Sequence, residues 1–99
     1  MSAVQVVKES LPGFMAGNGT VGGTPAQLTT IAFPITKHVV VQAASGNGST
    51  VSVGPASAQA ANGYILAAGE STPPIYVDDT SKVWVVGGAA DQDYNWIAN

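Results

Sequence analysis

The sequence predicts a small all-β protein: an antiparallel β-sandwich or barrel of about seven or eight short strands, with an extended N-terminal arm. Short runs of valine and other β-formers carry the alternation typical of half-buried strands. Turn-prone residues separate these runs at intervals of roughly ten residues. No segment shows the 3.6-residue period of an amphipathic helix. Together these observations favour a fold built from strands alone.

Length and composition limit what this protein can be. A chain of 99 residues makes one domain and buries roughly two thirds of its unfolded surface, which is enough for one modest core. The sequence contains no cysteine, so neither a disulfide nor a thiolate metal site can support that core. Further stability would come from assembly with other copies or with a partner.

The charge content excludes two classes of partner. The chain has three lysines, no arginine and six carboxylates, for a net charge of −3. Nucleic-acid binding and adhesion to anionic membranes both need clustered basic side chains, and this sequence has no such cluster. A surface so poor in charge is suited to close subunit packing, because interface cores are depleted of charged residues. An ordinary domain covered with serine and threonine is the alternative.

Two further sequence signals bear on where the protein is made. No apolar run approaches the ~18 residues of a membrane span. The N-terminus lacks the basic and apolar regions of a signal peptide. We therefore expect a soluble protein made in the cytoplasm.

Residues 1–23 are predicted to form an N-terminal arm followed by a glycine-rich linker. The linker contains Gly17-x-Gly19-x-x-Gly22, which formally matches the dinucleotide-binding fingerprint, but no helix pattern follows it. We interpret it as a loop. The arm is either a frayed terminus or an extended segment that adds to a neighbour's sheet or packs on its surface. The second alternative is favoured because several apolar residues would otherwise be solvated. The predicted contact residues are Val4, Val6, Leu11, Phe14 and Met15.

Residues 24–99 are predicted to form the β-sandwich domain. Its clearest strand spans residues 37–43, with Val39, Val41 and Ala43 pointing to one side. Asn47-Gly48 then gives a hairpin signal. Residues 50–54 follow as a strand with valines inward and hydroxyls outward. Short strands are also expected at residues 25–30, 64–66 and 94–97.

The stretch of residues 74–87 is predicted to organise the fold. Two β-rich runs flank Asp78-Asp79-Thr80-Ser81-Lys82, a pattern typical of a hairpin or a tight strand-to-strand corner. Both aspartates can accept hydrogen bonds from the backbone N–H groups that follow them. We expect the flanking strands at the centre of the core.

The residues offer little chemistry. His38 is the single histidine, with no thiol or second imidazole to complete a transition-metal site and no nucleophile elbow to complete a triad. Asp91 and Asp93 could join a calcium loop, but the EF-hand pattern is absent. We predict no catalytic, cofactor-binding or metal-binding residue. The large aromatics are core and interface anchors or, alternatively, a sugar-stacking platform: Tyr64, Tyr76, Trp84, Tyr94 and Trp96.

A set of strand and turn residues extends over about three quarters of the chain: Thr24-Pro25, Gln27-Leu28, Lys37, Val39-Val40-Val41-Gln42-Ala43, Gly48, Val51, Val53-Gly54, Asn62-Gly63, Leu66, Gly69-Glu70-Ser71, Val77-Asp78-Asp79, Ser81-Lys82-Val83, Val85, Gly87 and Trp96. In these residues the chain resembles a group of small tailed-phage virion proteins. These proteins are similar to capsid decoration (cement) or head-fibre modules with a compact β-sandwich. Residues 1–23 lie outside the resemblance.

The resemblance implies a structural role in the virion. The expected function is binding to the outer surface of a phage capsid, which it stabilises as a decoration protein. The expected partners are the major capsid protein and other copies of the same chain, assembled as a trimer. The alternative is a receptor- or carbohydrate-binding module of a head or tail fibre. Either protein would be made in the host cytoplasm and located in the virion.

Overall fold

A computed structural model describes residues 15–30, 35 and 37–99 of the chain. Within them, seven strands form two antiparallel sheets, so the predicted small all-β sandwich is confirmed. The elements are β1 (Met15–Val21), β2 (Ala26–Gln27), β3 (Val39–Ala43), β4 (Val51–Gly54), a first 3-10 helix (Ser57–Asn62), β5 (Tyr64–Leu66), a second 3-10 helix (Thr80–Lys82), β6 (Trp84–Gly87) and β7 (Gln92–Ala98). Sheet A has the strand order β1-β7-β3, and sheet B has the order β2-β6-β4-β5.

The core lies between the two sheets and is built by strands with a two-residue period. In β3, Val39, Val41 and Ala43 are fully buried, as the alternation in the sequence predicts. In β7 the same alternation buries Tyr94 and Trp96, whereas the residues between them are exposed. Sheet B contributes Val51 and Val53 of β4 and Val85 of β6 to this core. The sheets therefore meet through alternate side chains, as in other sandwiches.

The glycine-rich segment that was predicted to be a loop is a strand. β1 pairs with β7 in an unbroken register from Met15↔Ala98 to Val21↔Gln92. Gly17 lies opposite Trp96, and a Cβ at Gly17 would lie 2.7 Å from the indole ring. Gly19 lies opposite Tyr94 in the same way, with its virtual Cβ 2.6 Å from the ring carbon Cζ. Glycine suits both positions because aromatic rings occupy the space that a side chain would need.

The prediction of a β-hairpin at Asn47-Gly48 is wrong. β3 belongs to sheet A and β4 to sheet B, so the turn between them crosses from one sheet to the other. The Asn47 side chain holds this crossing in place by pairing with the backbone of Asp93. Its Nδ2 donates to the Asp93 carbonyl at 2.8 Å, and its Oδ1 accepts from the Asp93 N–H at 2.9 Å. The carboxamide thus takes the place of a strand residue beside β7.

The stretch of residues 74–87 is a corner between sheets, and the hairpin alternative is wrong. Ile75 bridges Val39 at the edge of sheet A, whereas β6 lies inside sheet B. Between them, Asp79 caps the second 3-10 helix, with its Oδ1 accepting from the Ser81 N–H at 2.9 Å. The expected aspartate–backbone hydrogen bond is therefore present. Only the β6 side of the corner lies at the centre of the core; Ile75 is partly buried beside it.

Sheet B is covered on its outer face, which the sequence did not indicate. The first 3-10 helix packs against β4 and β6. Its residue Ala60 is fully buried, and a Cβ on Gly54 would lie 2.8 Å from the Ala60 Cα. Ser52, predicted to be an outward hydroxyl, is only 7% exposed. Sheet B therefore has protein on both sides.

Candidate binding surface

The outer face of sheet A is a surface formed by three neighbouring strands. It consists of the side chains that alternate with the core residues of β1, β3 and β7. They are Ala16, Asn18, Thr20, Val40, Gln42, Asp93, Asn95 and Ile97. Only Asp93 among them is charged, and its Oδ1 accepts a 2.6 Å hydrogen bond from the Thr20 hydroxyl. We call this surface the sheet A face.

Strand register orders the sheet A face into rows. Ala16, Ile97 and Val40 are cross-strand neighbours and form an apolar row. Asn18, Asn95 and Gln42 lie side by side in the next row. Each carboxamide carries donors and an acceptor, so this amide row can bond to polar groups of either kind without burying a net charge. The Gln42 Nε2 also donates to the Gly69 carbonyl at 3.3 Å.

An aromatic pair borders the apolar row. The Tyr76 ring packs edge-on against His38, with ring centroids 6.0 Å apart and an interplanar angle of 69°. Tyr76 is 78% exposed, and His38 lines a shallow depression together with Ile97. This histidine is therefore packed against an aromatic ring at the rim of the face.

A second surface feature is an apolar groove at one side of the sandwich. It has a volume of about 330 Å³ and opens between the Ile75–Val77 segment and the edge of sheet B. Its walls include Val53, Pro55 and Tyr64, and the stem of Lys82 reaches its rim. The Lys82 Nζ lies 2.8 Å from Asp78 Oδ1. That hydrogen bond and the carboxylate charge raise the pKa of Lys82 above its usual value.

The predicted aromatic platform does not form, because the rings lie in different places. Tyr94 and Trp96 are buried in the core, Trp84 is half-buried, and Tyr64 and Tyr76 are exposed at separate sites. The Tyr94 hydroxyl donates to the Leu28 carbonyl at 2.6 Å, and burial raises the pKa of Tyr94. Core anchoring is thus confirmed for two of the five rings, and only exposed Tyr76 adjoins the sheet A face.

The aspartates of the corner and of the loop before β7 have separate roles. Asp78 pairs with Lys82, Asp79 caps a 3-10 helix, and Asp93 lies on β7. Asp91 adopts a left-handed backbone conformation (φ 59°) in the loop before β7. Over residues 15–30, 35 and 37–99, no group of three or more His, Asp or Glu side chains could hold a metal ion.

Of the predicted contact residues, the structure describes only one. Met15 is the first residue of β1 and is 41% exposed. The other four, Val4, Val6, Leu11 and Phe14, lie outside the described residues. Met15–Val21, which fall within the predicted arm and linker, form strand β1 of sheet A. The division of the chain at residue 23 stays a prediction.

Sequence reasoning missed the amide row. The sequence predicts Asn18 to lie in a loop and Asn95 to lie in the last strand. Gln42 was correctly expected to point away from the core. The two-residue period of β7 from Gln92 to Ala98 indicates which of its side chains share a face. The sequence does not indicate that β1 and β3 are the strands that flank β7.

No helix among the described residues has the length and apolar character needed to cross a membrane. Comparisons of the chain with protein-family models, with curated proteins and with solved structures find no match.

Proposed function

We propose that this protein is a structural binding module that decorates the outer surface of a phage capsid and stabilises the particle. It acts by contact and not by chemistry. The observation that carries the proposal is the sheet A face, a flat surface of a packed sandwich on which seven of eight side chains are uncharged. Such a surface can be buried against a protein without the cost of desolvating charges.

The proposed partners are the major capsid protein and other copies of this chain. Each contact would be modest, since the face is small and lacks strong ion pairs. Many copies bound to one particle would add their contacts through multivalency. A trimer at local three-fold axes is the assembly that the sequence resemblance implies. Val4, Val6, Leu11, Phe14 and Met15 remain candidate contacts beside the sheet A face.

The test compares two identical substitutions on opposite sides of the molecule. Asn95→Arg places a charge in the centre of the amide row, and Asn62→Arg places one at the exposed end of the first 3-10 helix. We expect Asn95→Arg to lose cosedimentation with purified capsids and Asn62→Arg to retain it. Equal binding by both variants, or a virion without this protein, would contradict the proposal.

A carbohydrate- or receptor-binding fibre module is the second candidate. The observation that favours it is the exposed Tyr76 ring, which borders the apolar row of the sheet A face, with the amide row on the far side of that row. Carboxamides can bond to hydroxyl groups, and an exposed aromatic ring can pack against a sugar. A glycan array on the wild-type protein separates the candidates. Saturable binding that Tyr76→Ala abolishes would favour the fibre module, whereas capsid binding without a glycan response favours decoration.

A further inference from the structure

β1 is an edge strand without the usual protection against pairing. It lies at the end of sheet A, and among the described residues only β7 pairs with it. Natural edges are blocked by charged side chains, prolines or bulges. Met15–Val21 contains no charged residue and no proline, and its register with β7 is continuous. Its outer backbone groups form a seven-residue template for another strand.

The side chains of β1 are nearly symmetric about its central residue. Reading outward from Asn18, the paired positions are Gly17 with Gly19, Ala16 with Thr20, and Met15 with Val21. If a second β1 lies antiparallel with Asn18 opposite Asn18, every residue meets one of similar size. This is the self-complementarity that a two-fold, isologous contact requires. No like charges face each other in that register.

A β1–β1 pair causes no steric conflict on either the core side or the outer side of sheet A. On the core side, Gly17 and Gly19 carry no side chains, and their own Trp96 and Tyr94 rings occupy that space. On the outer side, the amide rows of the two copies become continuous through the two Asn18 residues. A carboxamide both donates and accepts, so identical side chains can bond across the axis.

We infer that β1 pairs antiparallel with β1 of a second copy of this chain, about a two-fold axis at Asn18, to form one sheet across two sandwiches. The inference does not rest on capsid binding. It goes beyond the proposed function by naming a self-association contact and its symmetry. A two-fold contact closes on two copies, so in solution it gives a dimer, and in a larger assembly it would link neighbouring trimers.

The first experiment uses charge complementarity with the full-length chain. Two aspartates or two lysines at position 18 would lie opposite each other, so we expect Asn18→Asp and Asn18→Lys each to weaken dimerisation about tenfold or more. An equimolar mixture of the two variants should recover the dimer as a heterodimer, detected by native mass spectrometry. Asn95→Asp is the control, because its copies would lie about 14 Å apart across the axis.

The second experiment is crosslinking, which the absence of native cysteine makes clean. Opposed residues of an antiparallel pair have Cα atoms about 4.5–5.5 Å apart, within the range of a disulfide. We expect Asn18→Cys to form a covalent dimer on mild oxidation and Asn95→Cys to form little. Crosslinking tests the inference even if the charged variants at position 18 fail to fold.

Three results would overturn the inference. One is a wild-type chain that stays monomeric at the highest concentration measured, since the β1 edge would then not pair with a second copy. Another is a wild-type oligomer that both Asn18→Asp and Asn18→Lys leave intact. The third is equal crosslinking at positions 18 and 95. Because none of these measurements involves capsids, failure here is distinguishable from failure of the decoration proposal.

Discussion

The two sheets of this sandwich differ in what covers their outer faces. Sheet B carries the first 3-10 helix on its outer side, with Ala60 fully buried over β4. Sheet A carries nothing there among the described residues, and its exposed side chains are almost all uncharged. Among the described residues, sheet B therefore has protein packed on both faces, whereas sheet A has its core on one face and exposed side chains on the other.

The glycines of the two sheets show the same contrast at closer range. In sheet A, Gly17 and Gly19 face aromatic side chains. In sheet B, Gly54 and Gly63 face backbone, which cannot rotate away. A close contact made by a ring can relax by a change of rotamer, but one made by backbone requires the chain itself to move. Sheet B should thus tolerate change less than sheet A does.

The largest effect is expected at Gly63, where an added Cβ would overlap the Val53 carbonyl oxygen of β4. We expect Gly63→Ala to lower the free energy of unfolding by about 3 kcal/mol or more, because two strands of sheet B must separate. Urea denaturation followed by tryptophan fluorescence measures it. Gly46→Ala is the matched control, since its Cβ would meet nothing within 4 Å, and it should be neutral or slightly stabilising.

Gly17→Ala tests the sheet A side of the comparison. The new Cβ would lie 2.7 Å from Cε2 and Cζ2 of Trp96, so the indole must shift, and we expect a loss of about 1–2 kcal/mol. Trp96→Phe removes part of that ring, so the alanine should cost less in its presence. A double-mutant cycle measures the coupling. Additive effects would show that the ring does not set the requirement for glycine.

Asn47→Ala tests the crossing between the sheets. The substitution removes two hydrogen bonds to the Asp93 backbone, and we expect a loss of about 1 kcal/mol because the site is exposed and water can replace them. Asn62→Ala, at the other Asn-Gly pair of the domain, should change stability by less than about 0.5 kcal/mol. Equal losses of stability in both variants would show that the Asn47 side chain does not specifically stabilise the crossing.

The smallest effect is expected from pH. Burial raises the pKa of Tyr94, so the unfolded chain loses this proton at a lower pH than the folded chain. The contribution is complete below about pH 10 and is lost as pH rises through the folded-state pKa. Urea titrations between neutral and strongly alkaline pH should show stability falling in the wild type and falling less in Tyr94→Phe.

A control separates Tyr94 from the exposed lysine. The pKa of Lys82 is also raised, which gives an alkaline loss of the same sign. Since the Lys82–Asp78 pair is exposed on both sides, water screens it, and Lys82→Met should leave the pH dependence nearly unchanged. If Lys82→Met flattens the curve and Tyr94→Phe does not, the buried tyrosine is not its source.

Local patterns in the sequence determined the fold class and much of the core. Alternating valines specify a half-buried strand wherever its partner lies, because successive side chains point to opposite faces. Val39, Val41 and Val53 were therefore predictable as core residues, and β3, β4 and β7 as strands. The cap at Asp79 was also predictable because it is a local interaction, with the acceptor and the donor two residues apart.

Only the tertiary structure decided what the glycines and the Asn-Gly turn do. Gly17 is a strand residue because Trp96, far along the chain, lies opposite it in register. By itself a glycine-rich run has no side chain to reveal its face and equally suits a loop. Asn47-Gly48 starts a turn in either case, but whether the next strand joins the same sheet depends on where β4 finds its partners. Strand pairing is a property of distant segments, and it is the pairing that creates the sheet A face.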